Sequence, residues 1–206
     1  MAATLPIAFG LAWLLARTRF PGRMLLDVAV HLPLVLPPVV TGWVLLGLFG
    51  PAGPLGRALA SVGIEIAFRW TGAAVAAGIM ALPLIVRAIR LALDAVDPRL
   101  EAAARSLGAS RARVLLTVTL PVAWPGVIAG AVLGLAKALG EFGATITFVA
   151  SVPGETRTIP LAVWAALQAP DGEAGVVRLA LLSIGISAMA LLAAELLARR
   201  ARAHAL

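Results

Sequence analysis

The chain has 206 residues, of which 61% are hydrophobic and 13% charged, and its mean hydropathy is +1.00. A soluble domain has about half apolar and about 25% charged residues, so this composition predicts an integral membrane protein. The formal net charge of +7 does not indicate nucleic-acid binding, because the basic residues stand at the ends of apolar runs. With no cysteine and two distant histidines, the sequence offers neither a disulfide framework nor a thiolate metal site.

The first apolar run, residues 2–16, predicts a short first membrane span. About fifteen residues at about 1.5 Å each cover less than the roughly 30 Å of hydrocarbon, so we expect the natural start to lie upstream of Met1. Arg17, Arg19 and Arg23 follow around a Pro21-Gly22 turn. This short basic loop is expected to face the cytoplasm.

The second span is predicted over residues 25–49 and contains Pro33, Pro37 and Pro38. Each proline removes a backbone hydrogen bond, which lipid tolerates only where protein or a wet cavity satisfies the freed carbonyl. We therefore expect one bent helix buried against others, with Pro37, Pro38, Thr41 and Gly42 lining a wet cavity or path. The alternative is a kinked packing helix with no role in the path.

Residues 50–70 predict an external loop with a short interfacial helix, and residues 71–89 predict the third span. A less apolar segment, about 94–122, comes next and predicts two short helices. Asp97 can cap the first helix and Gly108 can end it in the left-handed conformation, while Ser110 can cap the second. The alternative reading is an ordinary amphipathic helix between two spans.

The fourth span is predicted over residues 125–150, where the four-residue spacing of Gly130 and Gly134 favours close helix packing. Lys137 and Glu141 fall in the middle of this apolar run and, four residues apart, would share one helix face. A charge inside the bilayer costs about 2.5–3.5 kcal/mol, so the two should point into a bundle or cavity. They predict either a gate or a self-neutralising structural pair. The path residues expected in this segment are Lys137, Glu141, Gly143, Thr145 and Thr147.

Residues 151–175 predict an external segment with a short helix over 158–168, and residues 176–197 predict the last span. The charge distribution tests this order, because inner loops of membrane proteins are enriched in Lys and Arg. The outer segments hold only Arg57, Arg69, Arg157 and Arg178. The inner ones hold Arg17, Arg19, Arg23, Arg87, Arg90, Arg99, Arg105, Arg111, Arg113, Arg199, Arg200 and Arg202. The bias predicts one all-α transmembrane domain over 1–206, about five spans, an outer N-terminus and a cytoplasmic C-terminus.

Several sequence patterns carry a family resemblance. Glu101-Ala102-Ala103, then Gly108, then Val118-Thr119-Leu120-Pro121 resembles the cytoplasmic coupling loop of type I permeases of ABC importers. The interval from Glu101 to Gly108 is one residue longer than is usual there. The segments 31–42, 82–93, 139–150 and 153–163 resemble the molybdate permeases of bacterial ABC importers, with the sulfate/thiosulfate permeases as the alternative.

The resemblance implies a permease subunit of the bacterial inner membrane that imports molybdate, or tungstate, as a homodimer around one path. Its expected partners are a cytoplasmic ATPase dimer, an external oxyanion-binding protein and the lipid bilayer. ATP and Mg²⁺ would bind to the partner ATPase, since this chain carries no phosphate-binding loop and no cofactor of its own. Coupling to the ATPase is expected at Glu101, Ala102, Ala103, Arg105, Gly108, Leu120 and Pro121.

Two functions from other classes compete with transport. A membrane enzyme or proton-conducting subunit would use Glu141 and Lys137 and would work without an ATPase partner. A purely structural membrane subunit would tolerate changes throughout residues 33–38 and 141–147. The absence of further acidic residues within the spans argues against the first, and the coupling-loop pattern argues against both.

Overall fold

The computed structural model describes residues 1–203 of the chain, and these residues form helices and connecting turns without any strand. The side chains of 194 and 197–203 lie outside the described part, and with them the predicted inner-face arginines 199, 200 and 202. The helices are α1 (Thr4–Arg17), α2 (Arg23–Val35), α3 (Pro38–Phe49), α4 (Pro54–Ala60), α5 (Trp70–Asp94), α6 (Pro98–Ser106), α7 (Arg111–Val114), α8 (Leu120–Leu139), α9 (Gly143–Val149), α10 (Ile159–Leu167) and α11 (Glu173–Ala203).

Helix α5 is the centre of the packing, because it contributes to both hydrophobic cores of the described chain. Its second half, including Ile85 and Ile89, packs with α1, α2 and α8 in the first core. Its first half, including Ala76 and Met80, packs with α3 and α9 in the second. A movement of α5 therefore changes the packing of both cores.

Small residues on α8 allow that helix to lie close against α5. A methyl group at Gly134 would come within 2.5 Å of the Ile85 side chain, and one at Gly130 within 3.2 Å of the Ile85 carbonyl oxygen. The close approach predicted from the four-residue spacing of these two glycines is therefore confirmed, and α5 is the partner helix.

The second predicted span is not one helix. It is divided into α2 and α3, which are bent by 119° at the break. The cause is the Pro37-Pro38 pair, since the residue before each proline is pushed into an extended conformation; Leu36 has ψ 143° and Pro37 has ψ 132°. Pro33, also expected to bend the span, lies within α2.

The fourth predicted span is also wrong in its bounds. The helix begins at Arg111, passes through a π-helical turn at Leu115–Thr119 and ends at Leu139, which makes one continuous run of 29 residues. A break at residues 140–142 separates it from α9. The wider π turn accommodates Pro121, whose ring would otherwise crowd the carbonyl one turn earlier.

Three of the described helices are long and apolar enough to cross a membrane: α5, the run from Arg111 to Leu139, and Glu173–Ala193 within α11. The bent α2–α3 pair makes a fourth if it counts as one span, and α1 is a shorter apolar helix of 14 residues. The short helices expected in the two outer segments are present as α4 and α10.

Candidate functional site

The coupling segment, residues 94–122, has the local structure that its sequence predicts at both ends of α6. The Asp97 carboxylate accepts a hydrogen bond from the Arg99 N–H at 2.8 Å, which caps the helix. At the other end Gly108 has φ +82°, and its N–H donates to the Arg105 carbonyl while the Ala109 N–H donates to Ala104. This double pattern is a Schellman motif, so the helix ends sharply.

The second helix of the coupling segment is continuous with α8. The Ser110 hydroxyl oxygen accepts from the Arg113 N–H at 3.3 Å and caps α7, as predicted. The predicted coupling residues Leu120 and Pro121 fall in the first turn of α8, directly after the π turn. The end of the coupling segment is thus part of the long apolar helix that runs from Arg111 to Leu139.

One face of α6 is open to solvent and mixes apolar with basic groups. None of the nine residues of α6 is buried, and Ala102, Ala103 and Arg105 are all exposed. Leu107, at its C-terminal end, is 88% exposed. An exposed leucine next to several arginines suits a protein partner, although such charges also serve as an ordinary solvated surface.

Glu101 points back toward the membrane helices rather than outward with its neighbours. Its Oε1 atom lies 2.9 Å from Nη2 of Arg17 at the end of α1, and it accepts a hydrogen bond of 2.7 Å from the Thr119 hydroxyl. This glutamate therefore has a defined set of partners inside the chain.

The predicted path residues gather where α3 crosses α9. A methyl group at Gly42 would lie 2.5 Å from the Ala144 carbonyl oxygen, and one at Gly143 would lie 2.7 Å from Cβ of Pro38. Only glycines allow the two backbones to come this close. The crossing, named here the α3–α9 contact (residues 37–42 and 143–147), joins two segments that are distant in the sequence.

Lys137 and Glu141 lie beside this contact and form an ion pair. The Lys137 Nζ atom is 2.7 Å from Glu141 Oε2, and Glu141 Oε1 accepts from the Ala144 N–H at 3.0 Å. The Glu141 side chain is 1% exposed and that of Lys137 is 27% exposed. The expectation of one shared helix face in mid-span is wrong, because Lys137 lies in the last turn of α8 and Glu141 lies in the break before α9.

The three predicted path threonines differ in what their hydroxyl groups do. The Thr41 oxygen is buried and has no hydrogen-bond partner, whereas Thr147 donates to the Gly143 carbonyl at 2.9 Å. Thr145 is 1% exposed and faces the interior of this single chain. Pro37 and Pro38 are exposed at the start of α3. Thr41 is thus the one of the three whose hydroxyl oxygen is fully buried without a hydrogen-bond partner.

No group of three or more His, Asp or Glu residues within the described chain could hold a metal ion. The carboxylate of Glu141 is occupied by Lys137 and the α9 backbone.

Comparison with known proteins decides between the possible functions. Residues 6–203 match the family described as "Binding-protein-dependent transport system inner membrane component". The chain belongs to this family. The coupling segment and the α3–α9 contact are accordingly parts of a transport permease, and the competing classes of membrane enzyme and structural subunit are not those of its family.

Individual members of the family differ in how similar they are to this chain. The molybdenum transport system permease protein ModB of Escherichia coli K12 is 55% identical over 203 residues, which is 98% of this chain and 89% of that protein. The sulfate transport system permease protein CysT of the same organism is 39% identical over 165 residues, 79% of this chain and 60% of that protein.

A solved structure shares the fold. It is a bacterial alginate ABC transporter in complex with an alginate-pentasaccharide-bound periplasmic protein; the TM-score is 0.72 at 18% identity, over 95% of this chain and 72% of that one. The all-helical importer permease fold is thus shared at low sequence identity.

Sequence reasoning missed the roles of three residues that the structure places at these sites. Arg17 and Thr119 hold Glu101, and Gly42, expected only to lie on a path, brings α3 against α9. Arg17 looked like one of several loop arginines, and no local pattern connects it with Glu101. Gly42 carries a weak signal, because a glycine inside an apolar helix often marks a close packing contact.

Proposed function

We propose that this chain is the permease subunit of an ATP-driven bacterial importer of molybdate. The observation that carries the proposal is the 55% identity to ModB over nearly the whole chain, against 39% over a shorter stretch to the sulfate permease. Tungstate, an oxyanion of the same shape and charge, is included in the expected substrate class. The chain hydrolyses no ATP; a partner ATPase that binds ATP and Mg²⁺ does so.

The proposed topology has five spans: α1, the α2–α3 pair, α5, the run from α7 through α8, and α11. The bias of arginines toward the segments around α6 and the C-terminus supports an outer N-terminus and a cytoplasmic C-terminus in the inner membrane. Two copies of the chain form one path in the bilayer. A cytoplasmic ATPase dimer binds beneath them and an external oxyanion-binding protein docks above.

The proposed coupling element is the exposed face of α6. The Asp97 cap and the Gly108 stop give this helix fixed ends, so it moves as one rigid body when the ATPase moves. Ala102, Ala103 and Arg105 face the partner, and the continuous helix beyond Ser110 passes the movement into α8.

The proposed path runs along the α3–α9 contact. An anion in transit needs hydrogen-bond donors and positive potential, but no tight binding that would slow its release. The partnerless Thr41 hydroxyl and the partly exposed Lys137 meet this requirement. Selectivity among oxyanions then resides mainly in the external binding protein.

Reconstitution tests the proposal directly. The chain is co-purified with its ATPase in proteoliposomes, loaded binding protein is supplied on the side of its docking face, and ATP-driven uptake of molybdate is compared with that of sulfate. Molybdate uptake that requires both ATP and binding protein is the expected result. Uptake of sulfate alone would move the substrate to the sulfate/thiosulfate class, and transport without any ATPase would overturn the proposed function.

A further inference from the structure

Arg17 connects three helices at the cytoplasmic end of the proposed bundle. It is the last residue of α1, and its Nη2 atom donates to the Leu93 carbonyl of α5 at 3.0 Å while lying 2.9 Å from Glu101 Oε1 on α6. A guanidinium group suits this position, because its several N–H donors diverge in one plane.

Glu101 extends the same network to the helix that leads into α8. The oxygen that faces Arg17 also accepts the Thr119 hydroxyl at 2.7 Å, and Thr119, in the π turn, is 3% exposed. The carboxylate therefore joins a residue before the first loop to a residue after the coupling helix.

Burial makes this network stronger than a surface ion pair. The side chains of Arg17 and Glu101 are 21% and 15% exposed, and the Arg17 Nε atom is buried without a hydrogen-bond partner. Paired charges that are shielded from water interact more strongly than exposed ones, and either one left alone is costly.

Glu101 also balances the positive charge of the cavity that surrounds it. The cavity has a volume of about 620 Å³, and its lining includes Arg17, Arg105 and Arg111. Glu101 is the only acidic residue of that lining. Without it, three guanidinium groups would share one cavity with no counter-charge.

Helix α6 has few other connections to the body of the protein. It contains no buried residue, so it lacks an apolar face that could hold it by packing alone. The polar network is consequently the main attachment between α6 and the ends of α1 and α5.

We infer that Arg17 is a positioning residue of the coupling apparatus, acting through Glu101 to hold α6 on α1, α5 and the π turn. A displacement of α6 by the ATPase then moves these helices with it instead of being lost in local flexing. This inference rests on the proposed function, since it assigns Arg17 to the coupling step of transport.

The first test compares Arg17→Gln with Arg19→Gln in proteoliposomes. Arg19 is a matched control, because it is exposed, carries the same charge and stands two residues away. We expect Arg17→Gln to lower molybdate uptake per ATP hydrolysed by about tenfold, with the ATPase still bound, and Arg19→Gln to leave the ratio unchanged. An unchanged ratio in Arg17→Gln, or a loss of assembled complex alone, would overturn the inference.

A reversed pair separates a specific contact from general destabilisation. Arg17→Glu and Glu101→Arg should each impair coupling, and the double variant should recover at least half of the lost ratio. Thr119→Val, which removes only one hydroxyl, keeps the test usable should the charge variants fail to fold, and should lower the ratio by about threefold. No recovery in the double variant together with no effect of Thr119→Val would count against the network.

A third measurement needs no transport and so separates this inference from the proposed function. The chain has no cysteine, so Ser106→Cys on the exposed side of α6 gives a single site for a nitroxide spin label. In the full-length permease without ATPase, Arg17→Gln should increase the mobility of the label and Arg19→Gln should not. Equal mobility in both would overturn the attachment, whereas absent uptake by the unsubstituted chain would overturn only the proposed function.

Discussion

The coupling segment and the α3–α9 contact reach a defined geometry by opposite means. In the coupling segment the backbone is set by caps at Asp97, Gly108 and Ser110, while most side chains of α6 other than Glu101 stay in solvent. In the α3–α9 contact Gly42 and Gly143 have no side chain, and this lets the two helices approach closely. The first depends on backbone conformation and hydrogen bonds, and the second depends on volume.

This difference predicts how each region responds to substitution. A surface helix with strong caps accepts many changes on its exposed face, whereas a close backbone contact accepts almost no added atom. The ion pair of Lys137 and Glu141 belongs to the second region, where a buried charge adds to the constraint.

The largest effect is expected from Lys137→Ala. The buried Glu141 carboxylate then keeps only the Ala144 N–H as a partner, which we expect to cost about 3 kcal/mol of unfolding free energy and to lower uptake more than ATPase assembly. Thermal unfolding in detergent and uptake in proteoliposomes measure the two effects. Adding Glu141→Gln should restore part of the stability, because a neutral amide oxygen still accepts from Ala144; unchanged uptake in Lys137→Ala would leave the pair a structural role only.

Gly42→Ala tests the volume of the α3–α9 contact. The added methyl group would meet the Ala144 carbonyl oxygen at 2.5 Å and its Cα at 2.9 Å, and backbone atoms cannot rotate away. We expect a loss of about 1–3 kcal/mol in unfolding free energy with a strong loss of uptake. Gly47→Ala on the same helix meets nothing within 4 Å, so equal damage from both variants would contradict this account.

Gly108→Val tests whether the left-handed backbone conformation at the end of α6 is needed for coupling. Space around Gly108 is open, so the cost arises only from its φ of +82°, about 1–2 kcal/mol for a residue with a side chain. Coupling should be impaired while membrane insertion stays intact, as judged by uptake per ATP hydrolysed and by the yield of folded protein. Gly108→Asn, which tolerates this conformation better, should retain more coupling than the valine variant; the opposite order would refute the cap.

The smallest effect is expected from Ser110→Ala. It removes one capping hydrogen bond of 3.3 Å at the start of α7, worth about 1 kcal/mol, and should reduce uptake by less than about threefold. Ser106→Ala, whose hydroxyl donates to a carbonyl one turn back on exposed α6, should change nothing measurable. A larger effect from Ser106 than from Ser110 would show that the exposed face matters more than the caps.

Local signals made the coupling segment predictable from the sequence. Asp97, Pro98, Gly108 and Ser110 act on backbone groups within a few residues, so their roles follow from spacing alone. The Gly130–Gly134 spacing likewise predicted a close helix contact. These features need no knowledge of the rest of the fold.

Local sequence signals did not predict the helix breaks in the second and fourth spans. The continuous apolar composition over residues 25–49 and over residues 125–150 favours one span in each range. Hydropathy carries no information on where the helix axis changes direction. The Pro37-Pro38 pair causes the bend locally, but neither its size of 119° nor the contact of the Glu141 carboxylate with the backbone of α9 follows from a local pattern. The partnership of Arg17 with Glu101 was invisible for the same reason, since it depends on where distant helix ends meet.

The continuous helix from Arg111 to Leu139 has a mechanical consequence. Three glycines of this helix lie close against α5, at Gly126, Gly130 and Gly134. Gly130 is the middle one of the three, so we expect a tilt of the helix as one rigid body to turn about Gly130. From Gly130 the arm to Arg111 measures about 28 Å and the arm to Lys137 about 10 Å, at about 1.5 Å per residue. A shift of the Arg111 end would therefore arrive at Lys137 reversed in direction and reduced about threefold, with the force increased in the same proportion.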